Sequence, residues 1–288
     1  MLKDSIPLGL QDCTRVSCDT NRKCHLFRCR RHTRALSFLQ RQSLTRRATM
    51  IPTLIIVGAT IAFFIAERVL PGRELPEVPG WYARSAFLNC CQVGIVLLAG
   101  VTWSRWMYQW SFFHIAHSMP PFVQGFVGWF VGTFVFYWWH RARHDVNFLW
   151  RVFHQVHHSP ARIELLTAFY KHPVEIAVDS MIASAVMFSL LGASPTGGAW
   201  FNVFAVLGEY IYHSNLRTPR WIGYFIQRPE HHSIHHQLDV HGFNYGDITW
   251  WDRLFGTFKD ADQFASRCGF PENHEKNLGD MLVFHDSY

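Results

Sequence analysis

The sequence predicts an all-α fold, a polytopic membrane helical bundle with about four or five membrane segments and a histidine-rich domain on its cytosolic side. The composition favours a membrane, because 49% of the 288 residues are hydrophobic, 16% are aromatic and only 17% are charged. Apolar stretches of membrane-spanning length recur along the chain, separated by polar connections. Many of the 18 histidines lie together just beyond those stretches.

Residues 1–49 form a basic N-terminal appendage with eleven Lys or Arg, three acidic residues and no sustained apolar period. This composition is typical of an organelle targeting segment, but we favour translation upstream of a true start at Met50. The segment also holds four cysteines at spacings that match no common zinc finger, namely Cys13, Cys18, Cys24 and Cys29. We therefore expect a disordered tail or one that is not native.

Cysteine use and charge exclude two classes of protein. The seven cysteines are an odd number, and Cys90 and Cys91 are adjacent inside an apolar run, so no disulfide framework is expected and the compartment is reducing. The excess of six basic residues is concentrated near the N-terminus and beside apolar segments rather than on one face. A nucleic-acid partner is therefore not expected.

Five apolar stretches follow Met50, at about residues 50–66, 85–103, 121–139, 174–191 and 199–212. Residues 104–120 are rich in Trp, Phe and His and are predicted to be an interfacial connection. Residues 50–120 thus hold membrane helices and this connection, 121–258 hold the histidine-rich region, and 259–288 form a C-terminal tail.

The orientation follows from the residues at the ends of these stretches. His140, His172 and His213 all fall on one side of the predicted bundle, and Arg141, Arg143, Arg151 and Arg162 lie near them. By the positive-inside rule, that side is cytoplasmic. Five crossings then put Met50 on the opposite side, where the basic residues upstream of it are unfavourable, which supports a start at Met50.

Histidines are concentrated in two parts of the chain. His140 and His144, at i and i+4, share one helical face, a spacing at which two imidazoles can reach one metal ion. A triplet at i, i+3 and i+4 follows at His154, His157 and His158 and recurs at His232, His235 and His236. A histidine with a merely structural role has no reason to repeat this offset, so we interpret all eight as metal ligands.

Eight imidazoles are too many for a single tetrahedral zinc ion and suit two metal ions held between several helices. Iron with open coordination positions can bind and reduce dioxygen to an oxidant that attacks an unactivated C–H bond. An alkyl chain offers an enzyme no acidic or basic group, so its oxidation needs a metal oxidant and a dry channel. The apolar bundle can supply that channel.

These motifs resemble those of the fatty acid hydroxylase or sterol desaturase superfamily, the membrane histidine-box di-iron oxygenases. The resemblance covers about residues 120–258 and includes His172-Pro173, Tyr212-His213-Ser214-Asn215, Asn244-Tyr245-Gly246 and Trp251-Asp252-Arg253-Leu254-Phe255-Gly256-Thr257. It implies four or more membrane helices capped by a cytosolic metal domain, two iron ions, and a lipid substrate such as a sterol, a fatty acyl chain or an alkyl ether. It also implies an external electron donor.

Three further residues are candidates beside the boxes. His213, at the end of the fifth stretch, is expected to be a ligand, while His172 is a ligand, a neighbour of the ligands or a residue at the substrate mouth. Glu209, one helical turn before His213, is a ligand, an acceptor beside the metal pair or a protonated packing residue. Fatty acyl hydroxylases have a histidine at the position of Glu209.

The sequence therefore favours an O2-dependent lipid hydroxylase or desaturase that uses two Fe ions, for which Zn can substitute on purification, and a separate electron-transfer protein. The alternative is a histidine-rich membrane metal transporter or metal-binding protein. A transport path would place polar ligands in the middle of the membrane, whereas these histidines lie at segment ends. Hydroxylation and desaturation begin with the same hydrogen abstraction, so the sequence does not separate them. It leaves the oligomeric state open.

Overall fold

The computed structural model describes residues 16–18, 24–26 and 30–288, with side chains from Thr49 onward except 272 and 273. Its contacts divide the chain into two units, Met1–Met50 and Ile51–Tyr288. In the first unit, β1 (Val16–Cys18) pairs with β2 (Cys24–Leu26) in an antiparallel hairpin. The helix α1 (Arg30–Val69) then begins inside the predicted appendage and continues beyond it. Cys13 and Cys29 lie outside the described residues, and the interpretation of residues 1–49 stays a prediction.

The second unit is helical, as predicted. After α1 come α2 (Trp81–Val101), α3 (Trp103–Met107), α4 (Pro121–Asp145), α5 (Asn147–Leu149), α6 (Gln155–His158), α7 (Pro173–Ser184), α8 (Pro195–His213), α9 (Pro229–His235), α10 (Thr249–Leu254) and α11 (Leu278–Leu282). π-helical turns lie at Trp150–His154 and Ala185–Leu190, and 3₁₀ turns at Ile115–His117, Leu165–Thr167, Arg220–Tyr224 and Pro271–Asn277.

Three helical segments are long and apolar enough to cross a membrane: Thr49–Val69, Trp81–Met107 and Pro173–Leu190. They correspond to the first, second and fourth predicted stretches. The third and fifth predicted stretches form α4 and α8, which fall short of that criterion among the described residues. The first stretch is longer than expected. The number of crossings and the cytoplasmic side of the site stay predictions.

Helices α4 and α8 pack closely because small residues line their contact. A Cβ atom built on Gly125 would lie 2.5 Å from the Cβ of Trp200, and one on Gly197 would lie 2.4 Å from Oε1 of Gln124. Glycine therefore allows the two backbones to approach, as in other membrane helix pairs. Each helix ends at one of the predicted site histidines or just after one, so their packing sets the spacing of the site.

The loops between the helices are tied to α1 by one buried carboxylate. Oε1 of Glu67 accepts hydrogen bonds from the backbone N–H groups of Leu165 and Asn215, both at 2.7 Å. Asn215 lies two residues after His213 in the chain. The end of α1 therefore positions the loop that follows α8.

Candidate metal centre

The first pair of predicted site histidines lies on the last turns of α4. His140 and His144 share a face, with ring centroids 5.2 Å apart, as their spacing predicts. Nδ1 of His140 is 2.7 Å from the carbonyl oxygen of Tyr245, to which it donates. Because this hydrogen bond uses the proton on Nδ1, the lone pair of His140 is on Nε2 and points away from the backbone.

The second box, the triplet His154, His157 and His158, does not lie on one regular helix. His154 ends the π-helical turn Trp150–His154, and His157 and His158 follow in the single turn of α6. The three rings of this triplet, His154, His157 and His158, therefore do not all point the same way: those of His154 and His158 are 4.7 Å apart, while the ring of His157 is turned 88° from that of His158.

The third box consists of His232 and His235 on α9 and of His236, the residue after it. Its side chains also point to two different groups. Nε2 of His236 lies 3.1 Å from Nε2 of His232, whereas the ring of His235 approaches His140, with centroids 4.5 Å apart. The short helix α9 thus presents its histidines to two different groups.

The nine predicted histidines form two groups, in each of which one ring nitrogen per residue lies within 4.8 Å of the others. The five-histidine group contains His140, His144, His154, His158 and His235. The four-histidine group contains His157, His213, His232 and His236.

The geometry of the four-histidine group fits a metal ion. Nε2 of His213 lies 3.2 Å from Nε2 of His157 and 3.1 Å from Nε2 of His232. Nitrogen ligands about 2.1 Å from one ion stand about 3.0–3.4 Å from each other, so these spacings are those of a coordination shell. The Nδ1 of His213 is 3.0 Å from the carbonyl oxygen of Glu209, which fixes the Nε2 lone pair towards the group.

The five-histidine group also fits a metal ion, because several of its buried nitrogen atoms have no hydrogen-bond partner. Nε2 of His140, His144, His154 and His235 is buried and makes no hydrogen bond. Nδ1 of His235 is 2.7 Å from the carbonyl oxygen of Phe243, and Nδ1 of His154 is 2.8 Å from Oε1 of Glu175. Unpaired buried nitrogens are costly unless a ligand satisfies them, so the donor set suits a borderline cation such as iron or zinc.

Burial keeps these imidazoles in the form that binds metals. It is the largest cause that lowers the pKa of His154, His157, His158, His232 and His236 well below the usual value, and neighbouring imidazoles lower it further. Burial also lowers the pKa of His235 to about 3, although the hydrogen bond to Phe243 opposes the shift. Neutral rings can offer a lone pair at neutral pH.

His172 does not reach either group. Its Nδ1 accepts a hydrogen bond of 3.0 Å from the backbone N–H of Val174, which caps α7. Its Nε2 lies 3.3 Å from the carbonyl oxygen of Leu282. The structure therefore places His172 as a helix cap, and not with the metal-binding candidates.

Glu209 also lies outside both groups, although it touches one. Its Oε1 accepts a hydrogen bond of 2.9 Å from the ammonium of Lys171, and its Oε2 is 3.3 Å from Nδ1 of His213. The positive charge nearest this carboxylate is thus a lysine that the sequence analysis did not consider. Oε2 of Glu209 makes no hydrogen bond, because Nδ1 of His213 is bonded to the backbone carbonyl of Glu209, and the role of this carboxylate stays a prediction.

Two residues near the site, Glu175 and His241, were missed, whereas His231 was correctly set apart from the ligand candidates. Glu175 is fully buried and binds Arg143 as well as His154. Its only sequence signal is an acid in the first turn after His172-Pro173. His241 lies five residues after the third box, with its ring centroid 5.2 Å from that of His158. His231, which lies beside that box, pairs instead with Asp260 at 2.9 Å.

The turn that holds His140 is built by Asp252. Its carboxylate accepts hydrogen bonds of 2.8 Å from the backbone N–H groups of Tyr245 and Gly246, and its Oδ1 accepts one of 2.7 Å from Thr257. Asn244 has a left-handed φ of 59° in this turn. These residues of the C-terminal motifs therefore support the site through architecture, as their turn-like sequence predicts.

The fold and site define a class: a helical membrane protein in which two groups of buried imidazoles face each other at helix ends. Comparison with known proteins agrees. Residues 125–257 match the model of the fatty acid hydroxylase family. This region, which includes all nine histidines of the two groups, is therefore similar to that family.

Several known proteins are similar to part of the chain. The chain is 33% identical over 125 residues to very-long-chain aldehyde decarbonylase GL1-9 of Oryza sativa subsp. indica, which covers 42% of this chain and 48% of that protein. It is 30% identical over 173 residues to alkylglycerol monooxygenase of Xenopus tropicalis, with 57% and 37% covered.

Sphinganine C4-monooxygenase 1 of Arabidopsis thaliana is 31% identical over 126 residues, with 42% of this chain and 48% of that protein covered. The chain thus spans about half the length of these relatives, or less. No solved structure shows significant similarity to it.

Proposed function

We propose that the protein is a membrane-bound di-iron oxygenase that hydroxylates or desaturates a lipid C–H bond with O2 as co-substrate. The observation that carries this proposal is the convergence of nine largely buried imidazoles into two adjacent groups. The relatives support a lipid substrate, since their names specify very-long-chain aldehydes, alkylglycerols and sphinganine. A separate protein supplies the electrons.

The two groups would hold one iron ion each, through His140, His144, His154, His158 and His235 in one and His157, His213, His232 and His236 in the other. When bound, the iron pair supplies the oxidant for an unactivated C–H bond. Zinc can replace iron in the isolated protein, because the same ligands bind zinc more tightly than ferrous iron.

The chain itself orients the ligands and excludes water. The Tyr245 and Phe243 carbonyls hold His140 and His235 by their Nδ1 atoms, and Glu175 holds His154 in the same way. Each bond selects the tautomer whose Nε2 faces its group. Because His154, His158 and His235 are at most 1% exposed, water has little access to this wall of the site.

Metal transport fits the geometry less well. All nine histidines lie outside the three candidate spans, so they do not form a path along them. The buried and mutually supported arrangement instead suits ions that stay in place during turnover.

The proposal can be tested with the full chain reconstituted in lipid nanodiscs. We expect O2-dependent formation of an oxidised lipid from a membrane lipid mixture when iron and a reductant system are supplied, as measured by comparative lipidomics. The His235→Ala chain is the matched control and should form no product. Metal flux into sealed vesicles without any oxidised lipid would contradict the proposal and support transport.

A further inference from the structure

We propose that a second surface of the protein, separate from its candidate spans, lies in the headgroup region of the bilayer. This surface, the apolar platform, consists of Trp221, Tyr224, Phe225, Trp250 and Leu254, which are 47% to 67% exposed. The five residues belong to the 3₁₀ turn Arg220–Tyr224, the residue after it, and α10, and to none of the three candidate spans. Five large apolar side chains so close together on a surface indicate a partner.

Hydrogen bonds hold the two elements of the platform, the 3₁₀ turn and α10, together in one defined surface. The indole N–H of Trp250 donates to the carbonyl oxygen of Tyr224 at 2.8 Å. Thr249 donates its backbone N–H to the carbonyl oxygen of Phe225 at 3.3 Å and its hydroxyl to that of Gly223 at 3.1 Å. An isolated antiparallel bridge between Ile226 and Ile248 continues the connection.

The position of α10 along α4 places the platform on the membrane side of the metal centre. The indole N–H of Trp251 donates to the hydroxyl of Thr133 at 3.0 Å, and its ring lies 5.1 Å from that of Phe134. Thr133 precedes His140 by seven residues, and an α-helix rises about 1.5 Å per residue. Trp251, the neighbour of Trp250 in the chain, therefore contacts α4 about 10 Å before His140 along the helix axis, towards the N-terminal end of α4.

The part of α4 beside the platform presents apolar side chains outward. Phe134 and Trp138, about one helical turn apart, are 40% and 42% exposed. The ring of Trp251 lies 5.1 Å from that of Phe134, and the ring of Phe255 lies 4.7 Å from that of Trp138. Trp250 and Leu254 of the platform are the chain neighbours of Trp251 and Phe255, so lipid that contacts this part of α4 reaches the platform as well.

The composition of the platform fits a bilayer better than it fits a docked protein. Trp and Tyr prefer the membrane interface, where one part of the ring is apolar and the other is wet. The charges at its rim are already engaged: Arg220 pairs with Asp260 and Asp262 at 3.2 and 3.0 Å, and Arg253 lies over the ring of Phe258. A redox partner that docks through charge would find few free ionic groups here.

Site-specific photo-crosslinking tests this surface without reference to metal content or turnover. The photoreactive residue p-benzoylphenylalanine would replace Tyr224 or Leu254 in the full chain, reconstituted in phosphatidylcholine nanodiscs. Leu97, 68% exposed within a candidate span, is the lipid-facing control. Asp145, the exposed last residue of α4, is about 18 Å beyond Thr133 along that helix and is the water-facing control.

We expect lipid adducts at Tyr224 and Leu254 in yields similar to that at Leu97 and several-fold above that at Asp145, as measured by intact-protein mass spectrometry. Lipid adducts at Leu97 with none at Tyr224 and Leu254 would overturn the proposal. Adducts from these two positions to an added redox protein or to a second copy of the chain, in place of lipid, would overturn it too.

Discussion

The rings of His158 and His236 stack 4.3 Å apart at an interplanar angle of 16°, although they belong to different groups. The stack follows from how the two triplets are divided. The first gives its i and i+4 residues to the five-histidine group and its i+3 residue to the four-histidine group, and the second does the reverse. Each group therefore depends on both chain segments, and damage to one triplet should affect both.

Replacement of His157 or His235 by Ala tests this dependence. His157 is a ligand candidate of the four-histidine group and His235 of the five-histidine group, so we expect either variant to lose lipid oxidation and to retain about half of the wild-type metal. The chain should stay in the membrane, because apolar helices insert without help from the metal. Activity, metal analysis and membrane fractionation check the three outcomes. Near-normal turnover in both variants would remove these histidines from the reaction.

The ligand candidates could be predicted from the sequence, but their partition into two groups could not. The offsets of His154, His157 and His158 are local and visible in the chain. Which group each ring joins depends on the π-helical turn Trp150–His154 and on how α9 faces it, and both are consequences of tertiary packing. Residues that support the ligands from distant segments carry only a weak local signal, which for Glu175 is an acid in the first turn after His172-Pro173.

The membrane helices could also be predicted from the sequence only in part. Apolar length identified three segments that are long and apolar enough to cross, whereas the third and fifth predicted stretches form α4 and α8, which fall short of that criterion. Their glycines and polar residues, which include Gln124, serve the packing between the two helices. Whether these two helices cross the membrane stays a prediction, because such residues lower the hydropathy of a helix that packs against a neighbour.

Metal content is the most direct measure of the proposed site. We expect about two metal ions per chain, iron in active protein and zinc after overexpression. Chelation should lower the melting temperature, because the metal binds only the folded arrangement and its loss leaves buried imidazole nitrogens unpaired. Elemental analysis and thermal scans before and after chelation provide the test. A stoichiometry near one, unchanged when either triplet is deleted, would exclude two ions.

Glu175→Gln keeps the shape of the side chain but should lower the free energy of unfolding strongly. The carboxylate of Glu175 is fully buried and binds Arg143 and His154, so its loss leaves the buried Arg143 charge with only the more distant Asp179 carboxylate, at 3.7 Å. Removal of one partner from a buried ion pair costs about 3–5 kcal/mol. Asp145→Asn is the matched control, since that carboxylate is 58% exposed beside Arg141 and its pair contributes about 0.5 kcal/mol or less. Equal unfolding free energies in the two variants would contradict the role of Glu175.

A chain that begins at Met50 should insert and turn over lipid as the full chain does. Residues 1–49 contain none of the nine histidines, and the candidate span Thr49–Val69 survives almost whole. Fractionation and product formation in cells that express each form make the comparison. Redirection to another compartment, or lost activity, would instead assign the segment a targeting or functional role.

The pair of Lys171 and Glu209 should hold His213 in place, and a double-mutant cycle can separate this role from simple packing. Their side chains are 11% and 19% exposed and are joined by a contact of 2.9 Å, while the second oxygen of Glu209 lies 3.3 Å from Nδ1 of His213. Lys171→Met should therefore leave a largely buried carboxylate unpaired and cost about 3 kcal/mol. The double variant Lys171→Met and Glu209→Gln should recover most of that stability.

Metal retention should respond differently from stability in the same cycle. Glu209→Gln removes the charge beside His213 and should weaken metal binding about 10-fold, as losses of groups that support ligand histidines do. The double variant, although stable, should retain this defect because it still lacks the carboxylate, and Glu209→His should restore part of the binding. Titration with a competing chelator measures the affinity of each variant. If the Gln variant keeps wild-type affinity and rate, Glu209 serves packing alone.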